Sequence, residues 1–221
     1  MIRFVTGTGP GVGKTVACAA LARLDAQSRY RASYFKAVQT GVEPGATGDA
    51  DWVGSAAQIP ALEGQRFSGR LDPAIAAEES RAHVSVDWLV DRARLQASGC
   101  DVLYVESTGG LLTPLSDSLT MADYAIRLGG ELLIVTRPAP GALNDAALTL
   151  EAARSRSLHV LGFVLNRWPP TPGVLERTML VHLQRRAPVL GVIPVHDGLD
   201  TRILEPLPPD VTLQPCPSSF E

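Results

Sequence analysis

The run Gly7-Thr-Gly-Pro-Gly-Val-Gly13-Lys14-Thr15 constrains the fold of this chain more than any other stretch. It follows a short β-branched segment, Ile2–Thr6, and opens directly into Lys14–Ser28, which is rich in Ala and Leu. An apolar run ended by glycines predicts a buried strand. The Ala/Leu-rich stretch predicts a helix that starts from the loop. Glycines let backbone N–H groups turn inward around phosphate oxygens, and a helix beginning near Lys14 adds its positive end. Lys14 then reaches β- and γ-phosphates, and the Thr15 hydroxyl can ligate Mg²⁺. The common G-x-x-x-x-G-K-[ST] spacing would put its first glycine at position 8. Thr8 stands there, flanked by Gly7 and Gly9, so this loop is a variant. Its expected ligand is a nucleotide, ATP with Mg²⁺.

The rest of the chain repeats the strand-then-helix order. Strands are predicted over Ile2–Thr6, Ala32–Lys36, Asp101–Glu106, Glu131–Thr136, His159–Asn166 and Val189–Ile193. Helices are predicted over Lys14–Ser28, Trp52–Gln58, Val86–Ser98, Leu119–Leu128, Leu143–Ser155 and Val174–Arg186, with Asp117 or Ser118 as the cap before Leu119. Val38–Ala50, Ser107–Ser116 and Pro169–Gly173 read as loops, and Pro60–Glu79 reads as irregular, broken by Pro73. The tail beyond Leu207 is proline-rich and weakly patterned. This alternation predicts an α/β fold: a mainly parallel sheet in a three-layer sandwich with helices on both faces. With no repeat, low-complexity tract or linker, the 221 residues are expected to form a single domain.

Composition narrows the class. A net charge of −3 with scattered Lys and Arg argues against nucleic acid as a partner. No apolar stretch approaches a membrane span, and the N-terminal apolar run is too short for a signal peptide. Cys18, Cys100 and Cys216 show neither disulfide-framework nor zinc spacing, so a reducing cytoplasm is expected. His83, His159, His182 and His196 show no paired spacing, and Trp52, Trp88 and Trp168 read as packing residues.

In a parallel sheet, ligands lie beyond the carboxyl ends of the strands. Lys14, Lys36, Glu106, Asn166 and Pro194 all fall at or just past such ends. A cation at Lys36 could stabilise charge on a transferring phosphoryl group. Asp49, Asp51 and Glu106 are the candidate metal carboxylates, since a phosphate-bound Mg²⁺ takes one or two such ligands. Gly109 and Gly110, just past Glu106, allow close backbone approach to a ligand.

Together these residues resemble the dethiobiotin synthetase family. The match runs through VTGTGPGVGKT, FKAVQTG, VESTGGLLTPLSD, PGALNDAALT, GFVLNRW and GVIP, over residues 2–196. The resemblance implies a P-loop NTPase-like fold and an ATP- and Mg²⁺-dependent ligase. It implies that CO₂ (or bicarbonate) and 7,8-diaminononanoate are joined into a cyclic urea through a carbamate and a mixed carbamic–phosphoric anhydride. Lys14 and Lys36 would be catalytic. Gly11, Val12, Gly13, Lys14, Thr15 and Val16 would wrap the phosphates. Thr15, Glu106 and Asp51 would hold Mg²⁺, with Asp51 preferred to Asp49 because Trp52-Val53 follows it as in the family. Gly109 would approach the nucleotide, Asn166 would read adenine and Pro194–His196 would close that pocket. Thr8, Thr40 and Gly110 would contact substrate. Leu143 and Asn144 would reach the substrate of a second copy across a homodimer interface.

The chain departs from the family pattern at Ala37, where proline is usual, at Ser107 and Thr108, where Gly-Ala is usual, and at Arg167, where an acid is common. Partition and assembly ATPases of the related P-loop group carry an extra lysine early in the loop; the aligned residue here is Gly9. A corrin-type amidoligase would add a glutaminase domain with a nucleophilic cysteine, whereas Cys100 simply precedes a strand.

Overall fold

A computed structural model describes residues 1–195. In chain order the elements are β1 (Ile2–Gly7), α1 (Lys14–Gln27), β2 (Ala32–Thr40), α2 (Asp49–Ala57), β3 (Ala61–Phe67), α3 (Pro73–Glu79) and α4 (Val86–Ala97). They continue as β4 (Val102–Gly110), α5 (Met121–Leu128), β5 (Glu131–Thr136), α6 (Ala142–Arg154), β6 (Val160–Trp168), α7 (Val174–Gln184) and β7 (Val189–Pro194). The strands form one sheet in the order β3-β2-β4-β1-β5-β6-β7, every neighbouring pair parallel.

Strand alternation sends side chains to opposite faces. Val5, Tyr34, Tyr104, Leu133, Val135 and Val164 pack under α1 and α2. Phe4, Phe35, Leu103, Val105, Ile134 and Phe163 pack under α3 to α7. Both faces are covered, which is why the central strands read as continuous apolar runs. The chain leaves β1 toward the β2 side of the sheet and, after β4, crosses to the β5 side. The carboxyl end of β1 is therefore the reversal point where an open α/β sheet binds ligands.

Several boundaries differ from the sequence expectation. The segment read as irregular, Pro60–Glu79, holds an edge strand, β3, and a helix, α3, that starts at Pro73 rather than breaking there. Pro at the first helical position costs nothing, because its missing N–H would have no partner inside the helix. β2 runs on to Thr40 and β4 to Gly110, through residues read as loop. The cap of α5 is Thr120, not Asp117 or Ser118. Its N–H and hydroxyl both donate to Asp123 Oδ2, at 2.8 and 2.6 Å, the first of these being the return bond of a capping box. Among the described residues no helix is long and apolar enough to cross a membrane. His196, Cys216 and the tail beyond Leu207 lie outside the described residues.

Candidate active site

The loop between β1 and α1 is closely packed on itself. A Cβ at Gly7 would lie 2.7 Å from Val12 Cγ2 and 2.9 Å from the Gly9 carbonyl, which explains a glycine there instead of at position 8. Gly13, at φ 92°, caps α1, and no side chain caps that helix. Nor does its first turn carry an acidic residue. Its first N–H groups and its positive end are thus left for an anion. Asn166, at the end of β6, braces the loop from behind, its Nδ2 donating to the Val12 carbonyl at 3.0 Å. Lys14 lies back across the loop, Nζ donating to the Gly9 carbonyl at 3.2 Å. Burial pulls its pKa down to about 8, with Glu106 opposing and Lys36 adding to the shift.

Register assembles the second half of the site. β2 pairs β4 with Lys36 opposite Glu106, so both side chains rise on the α1 face. A one-residue slip would send both charges to the other face. Lys36 Nζ is 2.6 Å from Glu106 Oε1 and 2.8 Å from Asp49 Oδ2. The Thr15 hydroxyl donates to Glu106 Oε1 at 3.0 Å, and the Tyr34 hydroxyl donates to Glu106 Oε2 at 2.6 Å. Lys36 and Glu106 are both buried. Burial alone would lower the Lys36 pKa, but Glu106 and Asp49 outweigh it and raise it, so Lys36 stays cationic.

Asp49, not Asp51, carries the second carboxylate. α2 begins at Asp49, before the expected Trp52, and this places Asp51 at the third position of the helix. There its Oδ2 accepts the Gly48 N–H at 2.8 Å, and the side chain is 60% exposed. Asp51, expected to face the metal, here accepts from Gly48, and Asp49 is the one of the two that lines the cleft. The Asp49 N–H donates to Gln39 Oε1 at 3.0 Å. Arg66 on β3 donates to the carbonyls of Glu43 and Ala46, tying down the segment that leads into Asp49.

A cleft of about 340 Å³ joins these parts, lined by Gly11, Gly13, Lys14, Thr15, Val16, Lys36, Gln39, Thr40, Asp49, Trp52, Glu106, Thr108, Gly109 and Arg167. Among the described residues there is no cluster of three His, Cys, Asp or Glu of the kind that holds a metal unaided. The donors that do converge, one hydroxyl and two carboxylates, are the hard oxygen set Mg²⁺ takes beside phosphates and water. Thr15, Glu106 and Asp49 are thus the residues fit to hold it, and the Lys36 ammonium sits between the two carboxylates.

A family model described as AAA domain matches residues 3–202. An ATP-dependent dethiobiotin synthetase BioD from Frankia casuarinae is 41% identical over 204 residues, covering 90% of this chain and 86% of its own. One from Saccharopolyspora erythraea is 40% identical over 197 residues, covering 87% of each chain. The chain belongs to the dethiobiotin synthetase family. Membership makes it an ATP-dependent ligase of that family. Among solved structures, apo McdA from Cyanthece superposes with a TM-score of 0.59 at 16% identity, over 91% of this chain and 90% of that one. At that identity the likeness concerns the P-loop NTPase fold alone.

The positions that the dethiobiotin synthetase pattern marks are distributed unevenly around the cleft. Thr40 and Gly109 line it. Val12 is buried beneath the loop, and Thr8 donates to Thr136 Oγ1 at 3.3 Å, beside the loop. The Gly110 N–H is taken by Thr113 Oγ1 at 2.8 Å. Pro194 pairs with Trp168 at the end of β7 and is not a cleft residue. Leu143 and Asn144 open α6, beyond the cleft, Asn144 exposed with its Nδ2 on Asp145. Tyr34, Gln39 and Arg66 support the site without having been anticipated. Tyr34 had a signal: it lies two residues before Lys36 on a strand and so shares its face.

Proposed function

We propose that this chain closes the ureido ring of dethiobiotin from 7,8-diaminononanoate, CO₂ and ATP. The observation that carries the reading is Lys36, cationic and fixed between Glu106 and Asp49 in the same cleft as the phosphate loop. One amine of the substrate adds to CO₂ and loses a proton, giving a carbamate. A carbamate oxygen attacks the γ-phosphorus, ADP leaves, and a mixed carbamic–phosphoric anhydride forms. The second amine attacks the anhydride carbon, expels phosphate and closes the ring.

Negative charge concentrates between carbamate and γ-phosphoryl group in this sequence. Phosphoryl transfer of this kind depends on positioning and charge stabilisation more than on covalent chemistry. Lys14 and Lys36 supply fixed cations on the two sides of that charge. Gly11, Gly13 and Val16 offer backbone N–H groups to the phosphates, and Thr40 and Gly109 border the substrate side. Thr15, Glu106 and Asp49 would hold Mg²⁺, which would supply positive charge against that of the phosphates. Asn166 holds the loop and lies at the adenine end, with Arg167 beside it. The active form is a homodimer, in which Leu143 and Asn144 of one copy meet the substrate of the other.

The test is turnover of the purified protein with ATP, Mg²⁺ and bicarbonate, with and without the diamine. Diamine-dependent phosphate release with formation of the cyclic urea is expected. ATP hydrolysis that ignores the diamine and yields no urea would sink the reading.

A further inference from the structure

Glu106 meets three donors on two oxygens. Oε1 takes Lys36 and Thr15, which face the cleft, and Oε2 takes the Tyr34 hydroxyl at 2.6 Å. Tyr34 is 0% exposed and packs among residues of β1, β4 and α1, away from the cleft lining. Its strand partner is Tyr104, so it reaches Glu106 along the diagonal, a distance that suits an aromatic side chain.

The terminal torsion of a glutamate is broad and nearly two-fold, so nothing intrinsic fixes the plane of its carboxylate. Lys36 and Thr15 both bind Oε1 and leave rotation about it open. The Tyr34 hydroxyl supplies the remaining constraint from behind, and it also satisfies an oxygen that is buried away from water. We infer that Tyr34 is a positioning residue for the metal ligand Glu106: its hydroxyl pins Oε2 and thereby keeps Oε1 presented to the phosphate-bound divalent cation. The inference rests on the reading above, in which Glu106 is such a ligand.

Partners of this kind behind a metal ligand typically govern affinity by about ten-fold or more. Mn²⁺, followed by electron paramagnetic resonance in the presence of a saturating non-hydrolysable ATP analogue, is the probe. Tyr34→Phe is expected to bind Mn²⁺ about ten-fold more weakly, with nucleotide affinity in EDTA unchanged. Tyr34→Phe in a Glu106→Gln background should add no further loss, because the hydroxyl acts through Glu106. Replacing Tyr34 by 4-methylphenylalanine keeps the volume without the donor, and it should reproduce the loss even if Tyr34→Phe does not fold. If Glu106→Gln itself leaves Mn²⁺ affinity intact, the metal reading of Glu106 is wrong. If Glu106→Gln weakens Mn²⁺ and the donor-free variants do not, Tyr34 is only packing and the inference is overturned.

Discussion

A Lys36→Ala substitution takes a cation out from between two carboxylates. Glu106 is 1% exposed and keeps two donors, Thr15 and Tyr34. The Asp49 side chain is 26% exposed and loses its ion pair with Lys36. Removing one member of a buried ion pair costs about 3–5 kcal/mol. With two donors left on Glu106 and Asp49 open to solvent, the loss falls at the lower end, about 3 kcal/mol. In a chain of this size each kcal/mol lowers Tm by roughly 2–4 °C, so the variant should melt roughly 6–12 °C below the parent. Ring closure should fall by about 100-fold or more, as when one preorganised charge-stabilising group is deleted. Nucleotide affinity, set by the β1–α1 loop, should stay close to that of the parent. Thermal melting, phosphate release and calorimetric titration with ADP read the three quantities. A Tm shift under about 2 °C would show that the ion cluster does not behave as a desolvated pair. Unchanged turnover would remove Lys36 from the chemistry.

Asp51→Ala should cost about 1 kcal/mol through the lost helix cap and leave Mn²⁺ affinity alone, whereas Asp49→Asn should weaken it. A metal defect in Asp51→Ala would return that residue to the metal site. Gly7→Ala forces a Cβ to within 2.7 Å of Val12 Cγ2. It should destabilise by about 1–3 kcal/mol and weaken nucleotide binding, and a variant that melts and binds like the parent would refute the packing account of the loop. Hydrogen bonds from Arg31 hold the Asp101 carboxyl at about 2, below its unfolded value. Its contribution to stability is therefore present above about pH 4 and lost as pH falls through about 2. In Arg31→Ala the Asp101 carboxyl signal in carbon-detected NMR should titrate in the ordinary carboxylate range, and a value still near 2 would show that Arg31 is not the cause.

What could be read from the chain follows burial. β1, β4 and β5 are covered on both faces, so their apolar runs announce them. β3 reads ALEGQRF, with only Phe67 buried. An edge strand carrying Glu63, Gly64 and Arg66 shows neither alternation nor an apolar run, so it was hidden. The carboxyl-terminal extensions of β2 and β4 were hidden for another reason. Thr40, Gly109 and Gly110 have the composition of a loop, yet β2 and β4 run through them, with Thr40 opposite Phe67 and Gly110 opposite Gly7. Lys14, Thr15, Lys36 and Glu106 were legible because strand ends place them on one edge. The choice between Asp49 and Asp51 was not, since it turns on where α2 begins. Two positions of helix rotate a side chain by about 200°, which separates a residue in the cleft from one that caps the helix beside it.

The Asn166 carboxamide occupies the volume that a side chain at position 13 would need, and it also serves the Val12 carbonyl. For anyone building a variant library, position 13 is therefore closed, and position 166 is tied to the loop. A side chain at 13 is opposed twice, by the Asn166 carboxamide and by a φ of 92°, and shrinking 166 alone strips Val12 of its donor. Two positions far apart in the sequence are in this way coupled through one carboxamide.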